Sequence, residues 1–276
     1  MNWPLWVARA IEGFNAFVLA YFLALNLSYI LLFFISLREV LRFLKRTFFA
    51  DYQQILKSDM TLPITLIVPA RNEEKTIVDT VHSLRMLNYP EFEVIVVNDG
   101  STDRTLERLL SAYQLRRVDR VFKRSLPTRD VQALYASPLV PNLTVVDKVG
   151  GGKADALNCG INLSRYPLFC SMDADSVIED DALLKAVKPF MEWPEETVAV
   201  GGIVRCVNGC TVNEGRVTNI ALPRRFLPVF QVVEYLRAFL SGRLGWSALH
   251  GLLFISGAFG VYRKSAVVEV GGYDRS

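Results

Sequence analysis

Two aspartates, Asp173 and Asp175, directly follow an apolar run that ends at Met172. In an extended chain, side chains two residues apart point to the same side, so we expect both carboxylates on one face. Adjacent carboxylates favour a cation, and Mg²⁺ or Mn²⁺ is typically shared between one or two carboxylates and the phosphates of a substrate. Such pairs also occur at exposed turns and helix starts that bind no metal, so the surrounding sequence must decide between the two interpretations.

A second polar cluster, Asn98 to Asp103, closes another apolar run. Gly100 permits a tight turn and Ser101 can cap a helix that follows, so local structure explains most of the cluster. It does not explain Asp99. A carboxylate at the end of a strand can accept hydrogen bonds from a nucleobase or a ribose, which makes Asp99 a candidate nucleotide contact.

The segment PARNE, residues 69–73, ends an earlier apolar run in the same way. Asn72 can serve as a helix cap, and Glu73 suits the positive end of a helix dipole. For this segment the structural and the functional interpretation both remain open.

Three glycines and a lysine, residues 150–153, precede an apolar segment of helical composition. They do not form a Walker phosphate loop, because Asp147 stands where its first glycine belongs and Ala154 follows the lysine. No G-x-G-x-x-G turn follows a predicted strand either, which argues against a nicotinamide or flavin enzyme. A glycine-rich turn with a lysine at a helix start can still hold a diphosphate.

Alternating strands and helices must position these clusters. Apolar runs rich in β-branched residues are separated by stretches of helical composition, which is typical of parallel βα units covered by helices on both faces. Ligands bind such sheets at the carboxyl ends of the strands, where every one of the polar clusters falls. We predict strands within residues 64–70, 93–99, 142–148 and 167–175, and helices within 73–86, 103–113, 153–165 and 180–191.

The overall composition excludes several classes of protein. Hydrophobic residues make up 51% of the 276 residues and charged residues 21%, which excludes a disordered tail. The net charge of +3 is too small and too scattered to make nucleic acid the principal partner. The stretch from Leu115 to Pro141, with six basic residues in 116–129, is predicted to be an inserted surface loop.

The N-terminal part predicts a membrane anchor. From Gly13 to Leu37, 25 consecutive residues carry no charge, which is long enough to cross the hydrocarbon core of a bilayer. We therefore predict one transmembrane helix in residues 1–37, a basic interfacial helix or linker in 38–60, and a cytoplasmic domain in 61–276. The N-terminus is expected outside the cell membrane because four cations follow the helix: Arg38, Arg42, Lys45 and Arg46.

Two further apolar stretches have alternative interpretations. Leu244 to Tyr262 is uncharged but contains four glycines and a histidine, so we do not expect a second membrane span. Phe226 to Phe239 is flanked by arginines and is predicted to be an amphipathic helix on the membrane surface.

The motifs, taken in order, resemble the membrane-bound family-2 glycosyltransferases, which include the synthases of cellulose, hyaluronan and poly-N-acetylglucosamine. The resemblance covers Leu62 to Asp274. It implies an α/β GT-A fold with a mixed, mainly parallel sheet, and a UDP-sugar as donor. The motifs that carry it are PARNE, VNDGSTD, GGKADALN, DAD, QVVEYLRAF, SGAFGVYRK and GGYD.

On the nucleotide side, the resemblance implies that Ala70, Arg71 and Glu73 line the nucleotide pocket. Asp99 would contact the base, and Lys153 would lie near the nucleotide and its diphosphate. Arg71 stands where many members have a tyrosine.

On the metal and acceptor side, the resemblance implies that Asp173 and Asp175 bind Mg²⁺ or Mn²⁺, with Asp173 closer to the ribose and phosphates. Ser256, Gly257 and Ala258 occupy the place of the acceptor-site segment. Ser256 replaces the cysteine that the family's FFCGS pattern has there.

The implied activity is inverting, metal-dependent transfer of a sugar from a UDP-sugar to a growing polysaccharide at the cytoplasmic membrane face. Two alternatives remain: transfer to a lipid phosphate carrier, and a nucleotide-sugar-binding subunit that needs a second polypeptide. In the family the catalytic-base motif comes shortly after the GGYD segment. We therefore expect the base beyond Ser276, no catalytic base within this chain, and either a glycan or a lipid-linked acceptor.

Overall fold

The computed structural model of the chain describes residues 4–49, 61–213, 215–249 and 251–275. These residues fall into two compact units. The first comprises residues 4–49 with 230–253, and the second comprises residues 61–229 with 254–275. Residues 230–253, which belong to the predicted domain 61–276, group with the N-terminal helix in the first unit.

The first unit is built on a long helix, α1, which spans Leu5–Phe49. Its segment Leu5–Arg42 is long and apolar enough to cross a membrane, so the structure confirms a long apolar helix at this position, while its insertion in a membrane stays a prediction. Of the predicted interfacial helix or linker 38–60, residues 38–49 continue α1 without a break. Residues 50–60 lie outside the described residues.

Residues 226–248 form a second helical stretch. It consists of α6 (Phe226–Leu236), a π-helical segment (Arg237–Arg243) and α7 (Leu244–Ala248). Within the first unit, α7 approaches α1 closely, because a Cβ atom at Gly245 would lie only 2.7 Å from Ser36 Oγ. Among the described residues of 244–262 there is no second spanning helix, since α7 ends at Ala248 and a strand begins at Phe259.

The second unit contains one mixed eight-stranded sheet in the order β3-β4-β5-β2-β1-β6-β10-β7, together with a separate pair, β8 and β9. Its centre, β5-β2-β1-β6, is parallel, as the βα pattern predicts. The outer strands β3, β4, β10 and β7 pair antiparallel. The strands are β1 Ile64–Ala70, β2 Phe92–Asp99, β3 Arg116–Val118, β4 Val131–Ala136, β5 Leu143–Lys148, β6 Leu168–Met172, β7 Ala199–Gly201, β8 Thr211–Asn213, β9 Arg216–Asn219 and β10 Phe259–Arg263.

Helices cover both faces of this sheet, which explains why the central strands are almost wholly apolar. Successive residues of β1 alternate between two hydrophobic cores: Leu66 lies in one core and Ile67 in the other. Gly160 lets the helix Lys153–Leu163, α4, approach β1 closely, because a Cβ atom at Gly160 would lie 2.3 Å from Ile67 Cγ2. The helices of this unit are α2 Ile77–Arg85, α3 Thr105–Ala112, α4 Lys153–Leu163, α5 Ala182–Glu192 and α8 Lys264–Glu269.

The predicted surface loop from Leu115 to Pro141 is wrong in part, because it contains β3 and β4. β4 pairs with β5 and covers what would otherwise be an edge of the parallel centre. Both strands are short, and their polar residues hide the apolar pattern. The segment between them is held to α4, where Asn162 Oδ1 accepts hydrogen bonds from the amides of Ser125 and Leu126.

Candidate functional site

The carboxyl ends of β1, β2, β5 and β6 meet at one edge of the sheet, because these strands run parallel. The register aligns Ala70 with Asn98, and Asp99 with Lys148. The loops that follow these strand ends carry the predicted nucleotide and metal residues. The fold therefore places the nucleotide motifs side by side although they are far apart in sequence.

The PARNE loop after β1 and the loop after β2 are joined by hydrogen bonds. The Asn72 amide donates to Ser101 Oγ at 3.0 Å, and Asn72 Oδ1 accepts from the Thr102 amide at 2.8 Å. The Glu73 amide donates to Thr105 Oγ1 at 2.8 Å. Asn72 adopts a left-handed conformation, φ 58°, which short polar side chains tolerate better than most residues. Asn72 thus joins the two loops, a role that its sequence context did not reveal.

The three predicted pocket residues of the first loop differ in exposure. Ala70 is buried as the last residue of β1, Arg71 is exposed, and Glu73 is half-buried. Glu73 Oε2 accepts a hydrogen bond from Thr76 Oγ1 at 2.8 Å. The Arg71 side chain is thus accessible to a ligand at this edge. The buried Ala70 could contribute only its backbone groups and the small size of its side chain to a pocket.

Asp99 holds the glycine loop. Its Oδ1 accepts a hydrogen bond from the Gly151 amide at 2.8 Å, and its Oδ2 accepts one from the Gly152 amide at 2.7 Å. The residue is only 2% exposed. Its predicted contact with a nucleobase stays a prediction, because the carboxylate is engaged within the protein.

Asp99 also belongs to a buried ionic cluster that sequence reasoning missed. Lys148, the last residue of β5, is 0% exposed, and its Nζ lies 2.7 Å from Asp99 Oδ1 and 2.6 Å from Asp155 Oδ1. Lys148 Nζ also donates to the Val149 carbonyl at 2.6 Å. The sequence contained one signal for this cluster: Lys148 ends an apolar strand, and Asp99 ends another predicted strand.

Asp155, in the first turn of α4, is the second carboxylate of this cluster. It accepts a hydrogen bond from the Arg129 amide at 3.0 Å and forms an ion pair with Arg275 at 3.2 Å. Burial acts to raise the pKa of Asp155, but the hydrogen bonds from Lys148, the Arg129 amide and Arg275 outweigh it and lower the pKa below its usual value. Asp155 therefore remains ionised at neutral pH.

The structure brings the predicted donor lysine, the first aspartate of the D-x-D and the acceptor segment together. Lys153, the first residue of α4, forms an ion pair with Asp173 and donates to the Gly257 carbonyl at 3.2 Å. The Asp173 amide donates to the Ala258 carbonyl at 3.4 Å, and Ser256 Oγ accepts from the Ala258 amide at 3.4 Å. Asp173 and Gly257, which are 20 and 104 positions away from Lys153 in the sequence, thus both contact its ammonium.

The two aspartates of the D-x-D lie just beyond the end of β6. The chain leaves the strand at Met172, so strand alternation does not fix the side to which Asp173 and Asp175 point. Asp173 is half-exposed and Asp175 is exposed. Among the described residues, no three His, Cys, Asp or Glu side chains gather to hold a metal ion. Two accessible carboxylates fit a hard cation that takes its other ligands from a substrate and water rather than from a protein cage.

Comparison with known proteins gives the family. Residues 65–271 match the model of glycosyl transferase family 2. The poly-β-1,6-N-acetyl-D-glucosamine synthase of Staphylococcus epidermidis is 30% identical over 211 residues, which are 76% of this chain and 42% of that protein. The corresponding synthase of Staphylococcus aureus is 28% identical over the same shares. The chain thus spans 42% of the length of these curated relatives.

Solved structures of glycosyltransferases are also similar. The mannosyltransferase PcManGT from Pyrobaculum calidifontis in complex with GDP-Man and Mn²⁺ has 19% identity and a TM-score of 0.48, over 89% of this chain and 60% of that one. TarS 1–349 of S. aureus in complex with UDP-GlcNAc has 20% identity and a TM-score of 0.46, over 77% and 48%.

The family match extends from β1 to the turn after α8 and so includes every strand of the mixed sheet. The order of the motifs, the parallel centre of the sheet and the antiparallel β10 beside β6 agree with the fold that the resemblance implied. The chain belongs to glycosyltransferase family 2 and has the GT-A fold.

Proposed function

We propose that this chain transfers a sugar from a UDP-sugar to a growing polysaccharide at the cytoplasmic face of a membrane, in an inverting, metal-dependent reaction. The observation that carries the proposal is the meeting of Lys153, Asp173 and Gly257 at the carboxyl edge of the sheet. The names of the relatives support a polymer of N-acetylglucosamine as the product, so UDP-N-acetylglucosamine is the first donor to test.

For donor binding, we assign the nucleotide to the edge formed by Ala70, Arg71 and Glu73. Lys153 begins a helix, and the positive end of that helix dipole adds to the ammonium in attracting a diphosphate. Asp99 supports nucleotide binding by accepting hydrogen bonds from the glycine loop. We also propose that Asp99 contacts the base directly.

For the metal, we assign Asp173 and Asp175 as the protein ligands of Mg²⁺ or Mn²⁺. An ion held there would supply positive charge to the departing diphosphate. Lys153 contributes a second positive charge at the same place, because it already contacts Asp173. Ser256, Gly257 and Ala258 lie next to these groups and are assigned to the acceptor, which is a glycan or a lipid-linked sugar.

The proposal is tested with the full chain in membranes and, after purification, in detergent. We expect calorimetry to show UDP binding in the presence of Mn²⁺. Polymer formed from labelled UDP-N-acetylglucosamine in the membranes would support complete transfer by this chain and would contradict the expectation that the catalytic base lies beyond Ser276. Label in a lipid fraction without polymer would favour transfer to a lipid phosphate carrier. Binding without any product would favour a subunit that needs a second polypeptide. Failure of the chain to bind UDP or any UDP-sugar would contradict the proposal.

The membrane orientation makes a separate prediction, because basic residues follow the apolar span of α1. In a background with the half-buried Cys206 and Cys210 changed to serine, a cysteine at Arg108 should resist an impermeant maleimide on intact cells. A cysteine at Trp6, before the apolar span, should react. Both positions are exposed. Labelling at Arg108 but not at Trp6 would reverse the orientation.

Replacing Lys153 by glutamine should strengthen the binding of Mn²⁺ alone and weaken the binding of UDP. The ammonium competes with a metal ion for Asp173, and a half-exposed pair of this kind is worth up to about 1 kcal/mol, or roughly two- to fivefold in metal affinity. Spectroscopic titration of Mn²⁺ and calorimetry of UDP measure the two effects. Lys123→Gln, which removes an exposed cation from the β3–β4 segment, is the control. Unchanged Mn²⁺ affinity in Lys153→Gln would contradict the competition.

A further inference from the structure

We propose that Lys148 is a positioning residue for the sugar donor. Its buried ammonium holds Asp99 and Asp155, and through Asp99 it fixes the glycine loop that presents Lys153. This inference rests on the proposed function, because it gives that loop a part in holding the diphosphate of the nucleotide.

The charges of this cluster are almost completely buried. The side chains of Lys148, Asp99 and Asp155 are 0%, 4% and 1% exposed, and one ammonium contacts both carboxylates. Buried charges are tolerated only when they are paired and hydrogen-bonded. Without Lys148, two neighbouring carboxylates would repel each other at the place where β2, β5 and α4 meet.

Asp99 connects Lys148 to the candidate site. Asp99 accepts hydrogen bonds from the backbone amides of Gly151 and Gly152, and Lys153 directly follows Gly152. Gly152 has φ 89°, a left-handed conformation that favours glycine. A displaced Asp99 would release both amides, and the start of α4 would lose its anchor.

The glycine loop is tightly packed. A Cβ atom at Gly100 would lie 2.7 Å from the Gly150 amide nitrogen, and one at Gly151 would lie 2.7 Å from Asp155 Cγ. The loop is therefore in close contact both with the turn after β2 and with the buried cluster. Small movements of either aspartate are transmitted to its backbone.

A contribution to stability alone does not account for this cluster. Replacing a buried ion pair by well-packed apolar residues is often neutral or stabilising, so a charged cluster in an otherwise apolar sheet is a costly way to gain stability alone. The cluster lies at the carboxyl edge, one residue from the loop that leads to Lys153. Lys264 offers a contrast, because its Nζ donates to the Ser164 carbonyl, just beyond the opposite end of α4, at 2.6 Å.

The experiment compares Lys148→Met with Lys264→Met. Each substitution removes a lysine that contacts one end of α4: Lys148 contacts Asp155 in its first turn, and Lys264 contacts the Ser164 carbonyl just after its last turn. UDP affinity is measured in Mn²⁺ by calorimetry on the full chain in detergent, well below the melting temperature of each variant. We expect at least tenfold weaker UDP binding in Lys148→Met, partial recovery in Lys148→Arg, and affinity within twofold of wild type in Lys264→Met. A folded Lys148→Met that binds UDP like the wild type would overturn the inference.

Two further measurements decide the matter if Lys148→Met does not fold. Asp155→Asn, which removes one partner of Lys148, should bind UDP severalfold more weakly, and unchanged affinity would count against the inference. In the wild type, the Gly151 and Gly152 amides should exchange slowly with deuterium although they lie in a loop, and rapid exchange would also overturn it. Failure of the wild type to bind UDP would instead refute the proposed function, and with it the donor role of Lys148.

Discussion

Replacing Asp175 by alanine should abolish the increase in UDP affinity that Mn²⁺ or Mg²⁺ confers. A diphosphate next to Asp173 and Asp175 is repelled by both carboxylates unless a cation lies between them. Losing one ligand or its support typically lowers metal affinity about 10- to 100-fold, and UDP binding in metal should fall by a similar factor. Asp175 is exposed, so the variant should fold and melt like the wild type.

The measurement is calorimetry of UDP binding in Mn²⁺ and in chelator, for wild type and variant. Asp119→Ala is a matched control, because it removes an exposed carboxylate from the segment between β3 and β4. Its UDP binding should keep the full metal dependence. Equal UDP affinity with metal and with chelator in the wild type would remove the D-x-D from the mechanism.

The second large effect concerns stability. Replacing Phe169 by alanine should lower the free energy of unfolding by about 3 to 5 kcal/mol, the usual range for a buried phenylalanine. Phe169 is fully buried in β6 and stacks on Tyr262 of β10, with ring centroids 5.3 Å apart. The substitution therefore removes a contact between the two strands as well as core volume.

Chemical unfolding of the purified chain measures this effect. Phe226→Ala is the control, because Phe226 is 85% exposed and its loss should change the free energy of unfolding by less than about 0.5 kcal/mol. A loss in Phe169→Ala as small as that in Phe226→Ala would show that the Phe169 pocket contributes little to stability.

The parallel centre of the sheet was well predicted from the sequence. β1, β2, β5 and β6 are apolar runs, so each can be identified as a strand from its own residues without knowledge of its neighbours in the sheet. The prediction failed for β3 and β4, which are short and partly polar, and for β10, which lies within a longer uncharged stretch. These strands gain their stability from a neighbour in the sheet. Their residues alone do not show a periodic pattern.

The candidate site shows the same division. Lys153 and Asp173 were predicted from glycine, lysine and aspartate motifs next to strand ends, while Ser256 to Ala258 were placed only by resemblance. Lys148 was missed because a lysine at a strand end usually points to solvent. Only the strand register, which sets it opposite Asp99, reveals that it is buried and paired.

The position of β10 has a consequence for synthesis of the chain. β6, which leads to Asp173, is bordered by β1 on one side and by β10 on the other, and residues 173–258 separate β6 from β10. At a translation rate of about 5 to 20 residues per second, β6 waits roughly 4 to 17 s for its second neighbour. During that time its unpaired backbone and the apolar side chains that pack against β10 are open to pairing with other chains. Slower translation between β6 and β10 should therefore favour aggregation of nascent chains, although the finished protein is unchanged.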